Sequence, residues 1–164
     1  MSGKVMQQPV FELAVVMQKR TIDNRWQSEV WEPVAVLDDV RCEVEAGRMA
    51  TDNGFERWLF RGLRLQLRRE EAEGYYLNIS TQKPRVFVMW QMDRDCAVPH
   101  QVSASYNDAC TWMDAGEQVD SVAMPPELYN HVSAFAREHY RPQPKKRIRP
   151  RSFQSKEQPP RSRR

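Results

Sequence analysis

The sequence predicts an α+β fold: a curved antiparallel sheet of five to seven strands, open or partly closed into a barrel, with two C-terminal helices and a disordered basic tail. Three observations predict it. Before residue 105, apolar and polar residues alternate in several short segments, the period of half-buried strands. After residue 105 the spacing becomes helical. Beyond Tyr140, prolines and basic residues replace the apolar ones.

The first strand covers 11–18, where Phe11, Leu13, Val15 and Met17 alternate with Glu12, Ala14, Val16 and Gln18. A second apolar strand, Val34, Ala35, Val36 and Leu37, follows Pro33. Proline is tolerated at a strand start because it need not donate to the ladder. Residues 20–32 then connect two paired strands. Residues 38–54 are rich in Asp, Glu and Gly, which predicts a long loop with a short strand near 40–44.

Leu63, Leu65 and Leu67 alternate with Arg64, Gln66 and Arg68, as in a half-buried antiparallel strand. Residues 70–74 read as a turn, and Tyr75, Leu77 and Ile79 as the next alternating face. Residues 86–90 are apolar on both faces and predict a central strand. Val102 and Ala104 end a shorter strand after Pro99.

Ser105-Tyr106-Asn107-Asp108 has the spacing of a capping box, and Gly116 suits a helix C′ position. A short helix over 106–115 fits between them. Residues 118–123 read as a brief extended link. Pro125-Pro126 opens the last helix, since its first turn accepts proline. Leu128, Val132, Phe135 and Ala136 form its apolar face, and it ends near Tyr140, before Pro142.

Residues 141–164 carry only Ile148 and Phe153 as large apolar side chains. Burial cannot offset the ordering entropy of such a segment, so it is expected to be disordered. The organisation is a flexible N-terminus over 1–10, one domain over 11–140 and the tail.

The net charge of +3 hides a split. Residues 141–164 hold ten Lys or Arg and one Glu, leaving about −6 for residues 1–140. Lys145, Lys146, Arg147, Arg149 and Arg151 are its densest basic run. Such asymmetry points to an acidic partner: nucleic acid, an anionic membrane face or an acidic protein. A solubilising tail that folds back on its own acidic domain is the alternative. The three cysteines are an odd number, no secretory signal pattern is present, and no apolar run nears the roughly 18–20 residues of a membrane span. These features predict a cytoplasmic protein with reduced thiols.

Motifs for chemistry are sparse. Cys96 and His100 are not joined by a second close Cys or His pair, as a zinc site would require. There is no nucleophile elbow, and no glycine pattern for cradling phosphates. Glu70, Glu71 and Glu73 beside Arg68 and Arg69 read as a charged hairpin tip. No catalytic, cofactor-binding or metal-ligating residue is singled out. Arg68, Glu71, Tyr75 and Asn78 are a candidate polar network, read as groups on adjacent strands that fix register.

Trp26 and Trp31 stand in a polar stretch with Arg20, Asp23, Asn24 and Arg25. In one reading, Asp23 and Asn24 cap a turn and both rings cover the sheet end. In the other, a ring beside the arginines is an interface anchor, since Trp and Arg are enriched in binding hot spots.

The order ID-x-x-W-x-x-x-x-W-x-P-V-A-V, then L-x-L-x-R-x-E-x-E-G-Y-x-x-N, then W-M-D-A-G, then M-P-P-E-L resembles a bacterial family designated domain of unknown function 3305. The resemblance runs from roughly residue 11 to residue 140 and brings no catalytic residues. It implies gene neighbourhoods shared with molybdenum-containing formate dehydrogenases. From this comes the leading expectation: a non-catalytic accessory protein whose partner is formate dehydrogenase or one of its maturation factors. The alternatives are a nucleic-acid-associated protein acting through the tail, and a small enzyme whose site is assembled from distant residues.

Overall fold

The computed structural model describes residues 8–26, 28–49 and 54–142. The expected tail, with Lys145, Lys146, Arg147, Arg149 and Arg151, lies outside the described residues from position 143 onward, as do residues 1–7 of the expected N-terminal segment. Among the described residues, seven strands form two antiparallel sheets. The first contains β1 (Val10–Thr21), β2 (Glu29–Asp38), β3 (Gly47–Arg48) and β4 (Phe55–Gln66), in the order β2-β1-β4-β3. The second contains β5 (Arg85–Asp93), β6 (Cys96–Ser103) and β7 (Gln118–Ala123), in the order β6-β5-β7. The helices are α1 (Ala72–Ile79), α2 (Tyr106–Asp114) and α3 (Pro126–His139).

The α+β class and the antiparallel strands are as the patterning predicts. The strands are divided between two sheets, which face one another across a shared core. β4 runs beside β6 and β2 beside β7, but no hydrogen-bonded ladder among the described residues joins the sheets. Leu13, Val15, Met17, Leu63 and Leu65 face Val86, Val88 and Val102 across this core. Leu128, Val132, Phe135 and Ala136 of α3 close it, as their spacing predicts.

β1 departs from a simple half-buried strand. Its residues Leu13–Gln18 are all buried, because the sheet is covered on both faces. Ala14 and Val16 pack with Leu59 in a second, smaller cluster that Cys42 and Met49 help to cover. The short strand expected near 40–44 is instead Gly47–Arg48, paired with Trp58 and Leu59 of β4. Its pairing depends on a partner strand that local alternation cannot reveal.

Two prolines sit inside strands rather than ahead of them. Pro33 faces Met17 and Pro99 faces Trp90, each beside a shift in register. β2 and β6 are the edges of their sheets, where a missing N–H leaves no ladder bond unmade, and bulges accommodate proline there. The connection expected over 20–32 is therefore shorter, and Trp31 belongs to β2 itself. The link over 118–123 is likewise a full strand, β7, paired with β5.

The main correction concerns 70–79. Tyr75, Leu77 and Ile79 do not form a strand. A short 3-10 turn, Arg69–Glu71, leads into α1, which buries Ala72, Tyr75, Asn78 and Ile79. These lie three, three and one apart, a helical stripe that overlaps the alternating pattern over so few residues. The turn predicted at Gly74 is absent. Gly74 is buried within the helix, where α1 passes close to Ser105.

Candidate functional site

Two regions gather the singled-out side chains: one face of α1, and the tip of the β1–β2 hairpin. In the first, each polar group ties α1 or its approach to a different element. The Tyr75 hydroxyl accepts from the Arg68 backbone N–H at 2.9 Å and donates to the Gln66 carbonyl at 3.2 Å. Asn78 Nδ2 donates to the carbonyls of Arg85 and Ala104 at 2.7 and 2.9 Å, and its Oδ1 accepts from the Arg85 N–H at 2.9 Å. One buried amide thus joins the end of α1, the start of β5 and the exit of β6.

Arg68 donates from one guanidinium nitrogen to both Asp108 oxygens, each at 2.8 Å. Asp108 also accepts from the Ser103 hydroxyl at 2.7 Å. Ser105 Oγ donates to Glu71 Oε2 at 2.7 Å and accepts from the N–H groups of Asn107 and Asp108. Its hydroxyl therefore caps α2 and fastens it to the start of α1. The Asp108 bond pushes the Arg68 guanidinium further above its ordinary range, against the opposing effect of burial. Burial pushes the Tyr75 phenol up, and the Arg68 N–H only partly offsets this.

Arg68, Glu71, Tyr75 and Asn78 do not sit on adjacent strands, so they are not a cross-strand register lock. Glu71, Tyr75 and Asn78 follow helical spacing and point toward neighbouring elements. Ser103, Ser105 and Asp108 complete the arrangement and were not singled out with it. Ser105 and Asp108 carry the capping-box spacing, of which only half forms, while Ser103 lies outside it. Ser105 caps the helix, whereas Asp108 turns to Arg68 and Ser103, and the Ser105 N–H goes to Ser103 Oγ. These groups hold secondary elements together; their polar atoms are largely occupied by one another.

The hairpin tip is different. The ladder ends at the Thr21–Glu29 pair, and the Ile22 N–H reaches the Ser28 carbonyl at 2.9 Å. Asn24 Oδ1 accepts from the Trp26 N–H at 3.1 Å, an Asx-type turn. Trp26 is 92% exposed beyond it, while Asp23 and Arg25 are also exposed. Arg20 Nε pairs with Glu32 at 3.1 Å along the sheet.

Trp31 takes the opposite role. Its ring lies 4.9 Å from that of Trp58, and Lys19 Nζ sits 5.9 Å from its centroid. Lys19 is held by Glu29 at 3.0 Å and Glu56 at 3.5 Å. The two tryptophans of one motif are thus separated by register. Trp31 covers the sheet end, and Trp26 does not.

A family model described as "Protein of unknown function (DUF3305)" matches residues 12–149. The chain belongs to this family. The match covers both regions just described and continues past the end of α3. No curated protein and no solved structure matches the chain. Among the described residues, no helix is long and apolar enough to cross a membrane, and no cluster of three or more His, Cys, Asp or Glu side chains is placed to hold a metal ion.

Proposed function

We propose that this chain is a non-catalytic accessory protein that binds a protein partner through the tip of its β1–β2 hairpin. One observation carries the reading: Trp26 stands almost fully exposed on a turn where its N–H donates to Asn24 Oδ1. An indole in water forgoes a large burial gain, and burying it in a partner recovers that gain. Arg25 beside it and Phe55, 37% exposed opposite Arg20, extend the surface. The finer reading is a cytoplasmic role in maturation or regulation of a molybdenum-dependent formate dehydrogenase. The gene neighbourhood implied by the family resemblance supports it.

The test is co-purification from native cells with the full-length chain as bait, followed by titration against formate dehydrogenase. Trp26→Ala is expected to weaken partner binding by about 30-fold or more, the mark of a hot spot worth roughly 2 kcal/mol. Equal affinity for the two proteins would reject the tip as the interface. The basic tail favours a second reading, charge-driven binding of nucleic acid. That reading expects sequence-blind affinity with a log–log salt slope of roughly −4 to −7 on duplex DNA, lost on tail deletion.

A further inference from the structure

A groove of about 600 Å³ opens where the start of β1, the turn after β2 and the first turn of α3 meet. Its walls include Phe11, Leu13, Leu128 and Pro125, and Val40 stands 81% exposed at its lip. Glu12, Asp38 and Glu127 supply its acidic groups. Arg41 bridges Asp38 and Glu127, leaving an excess of negative charge. This lining suits an occupant that combines an apolar side chain with flanking cations.

We propose that this groove is the docking surface for the chain's own C-terminal segment, with Ile148 against the apolar wall and its basic neighbours against the carboxylates. Composition, reach and family extent support this occupant. Ile148 lies between Arg147 and Arg149, with Lys145 and Lys146 just before them, so one apolar side chain is bracketed by positive charge. The chain leaves α3 at Tyr140, at the far end of the helix from the groove. With 14 residues, α3 is about 21 Å long. The roughly eight residue steps from Tyr140 to Ile148 can span up to about 26–29 Å. A strap running back along α3 therefore reaches its first turn. The family match also continues to residue 149, so it includes Ile148 and the basic run before it.

This goes beyond the partner reading and does not depend on Trp26, which lies at the hairpin tip. The strap offers a single apolar anchor together with screened ion pairs, so the contact is salt-sensitive and exchangeable. A stronger basic or acidic partner can displace one side of it.

Carbodiimide cross-linking of the dilute full-length protein, mapped by mass spectrometry, tests the proposal. Links are expected from Lys145 or Lys146 to Glu12, Asp38 or Glu127. An equal mixture of isotopically heavy and light protein identifies links within one chain. Ile148→Ser preserves every charge and leaves the folded body untouched, and is expected to lower the yield of these links about tenfold or more. Yield unchanged by Ile148→Ser, links scattered over other carboxylates, or links between heavy and light copies would each overturn the proposal.

Discussion

Gly74→Ala sets two physical effects of opposite sign against each other. Inside a helix, alanine is favoured over glycine by about 0.8–1.0 kcal/mol, so propensity alone predicts a gain in stability. The packing around α1 predicts a loss. A methyl group on Gly74 would enter the space of Ser105 Oγ, 3.2 Å from Ser105 Cβ and 3.3 Å from Asn107 Nδ2. Ser105 is fully buried, so its hydroxyl must rotate or the helices must separate. Rotation forfeits the α2 cap, worth about 1 kcal/mol, and the bond to Glu71, worth roughly 1.5–3 kcal/mol as a bond to a charged group. After the propensity gain is set against these, the net cost is about 1.5–3 kcal/mol. Urea denaturation followed by far-UV circular dichroism measures it. The Ser105→Gly background isolates the cause, because glycine is an acceptable N-cap residue and offers no Cβ to strike. There, Gly74→Ala should be neutral or stabilising by up to about 1 kcal/mol. A Gly74→Ala protein as stable as the parent, in the presence of Ser105, would refute the close approach of α1 to Ser105.

Phe135, buried and edge-on to Tyr75 at 5.9 Å, should cost roughly 3–5 kcal/mol on replacement by alanine, read as a lowered urea midpoint. Asn78→Ala leaves the Arg85 N–H and the Arg85 and Ala104 carbonyls without their partner, and is expected to cost about 3 kcal/mol or more. Trp26→Ala should leave folding stability within about 0.5 kcal/mol of the parent, since the ring packs on little of its own chain. Tyr75 predicts an alkaline limb of the stability profile. Its folded-state pKa lies above the ordinary value of 10.0, because burial disfavours the phenolate. The unfolded chain releases this proton first, so the contribution is full below pH 10 and is lost as pH rises through the folded-state pKa. Stability curves of Tyr75→Phe and parent between pH 8 and 11 should differ in slope above pH 10; parallel curves would reject the assignment.

Local information in the chain determined much of this protein. Apolar patterning placed the first strand, the Leu63–Leu67 strand, the central strand at 86–90, which is apolar on both faces, and, together with cap residues, both C-terminal helices. It also placed the buried face of α3 residue by residue. It could not separate strand from helix over 72–79, where Tyr75 and Ile79 satisfy both periods. Tertiary packing decided that segment: as a helix, it lets Glu71 reach Ser105 and lets Asn78 bridge β5 and β6. Locally, Pro33 and Pro99 suit the starts of strands because proline breaks a ladder; only the sheet order reveals that β2 and β6 are edges, where that ladder bond is not required. The division into two sheets was equally hidden, since alternation reports which residues are buried but not which strand lies alongside. The fates of Trp26 and Trp31 also depended on long-range pairing. Register sets Trp31 opposite Lys19 and brings Trp58 against its ring, while the turn begins after Thr21 and leaves Trp26 exposed.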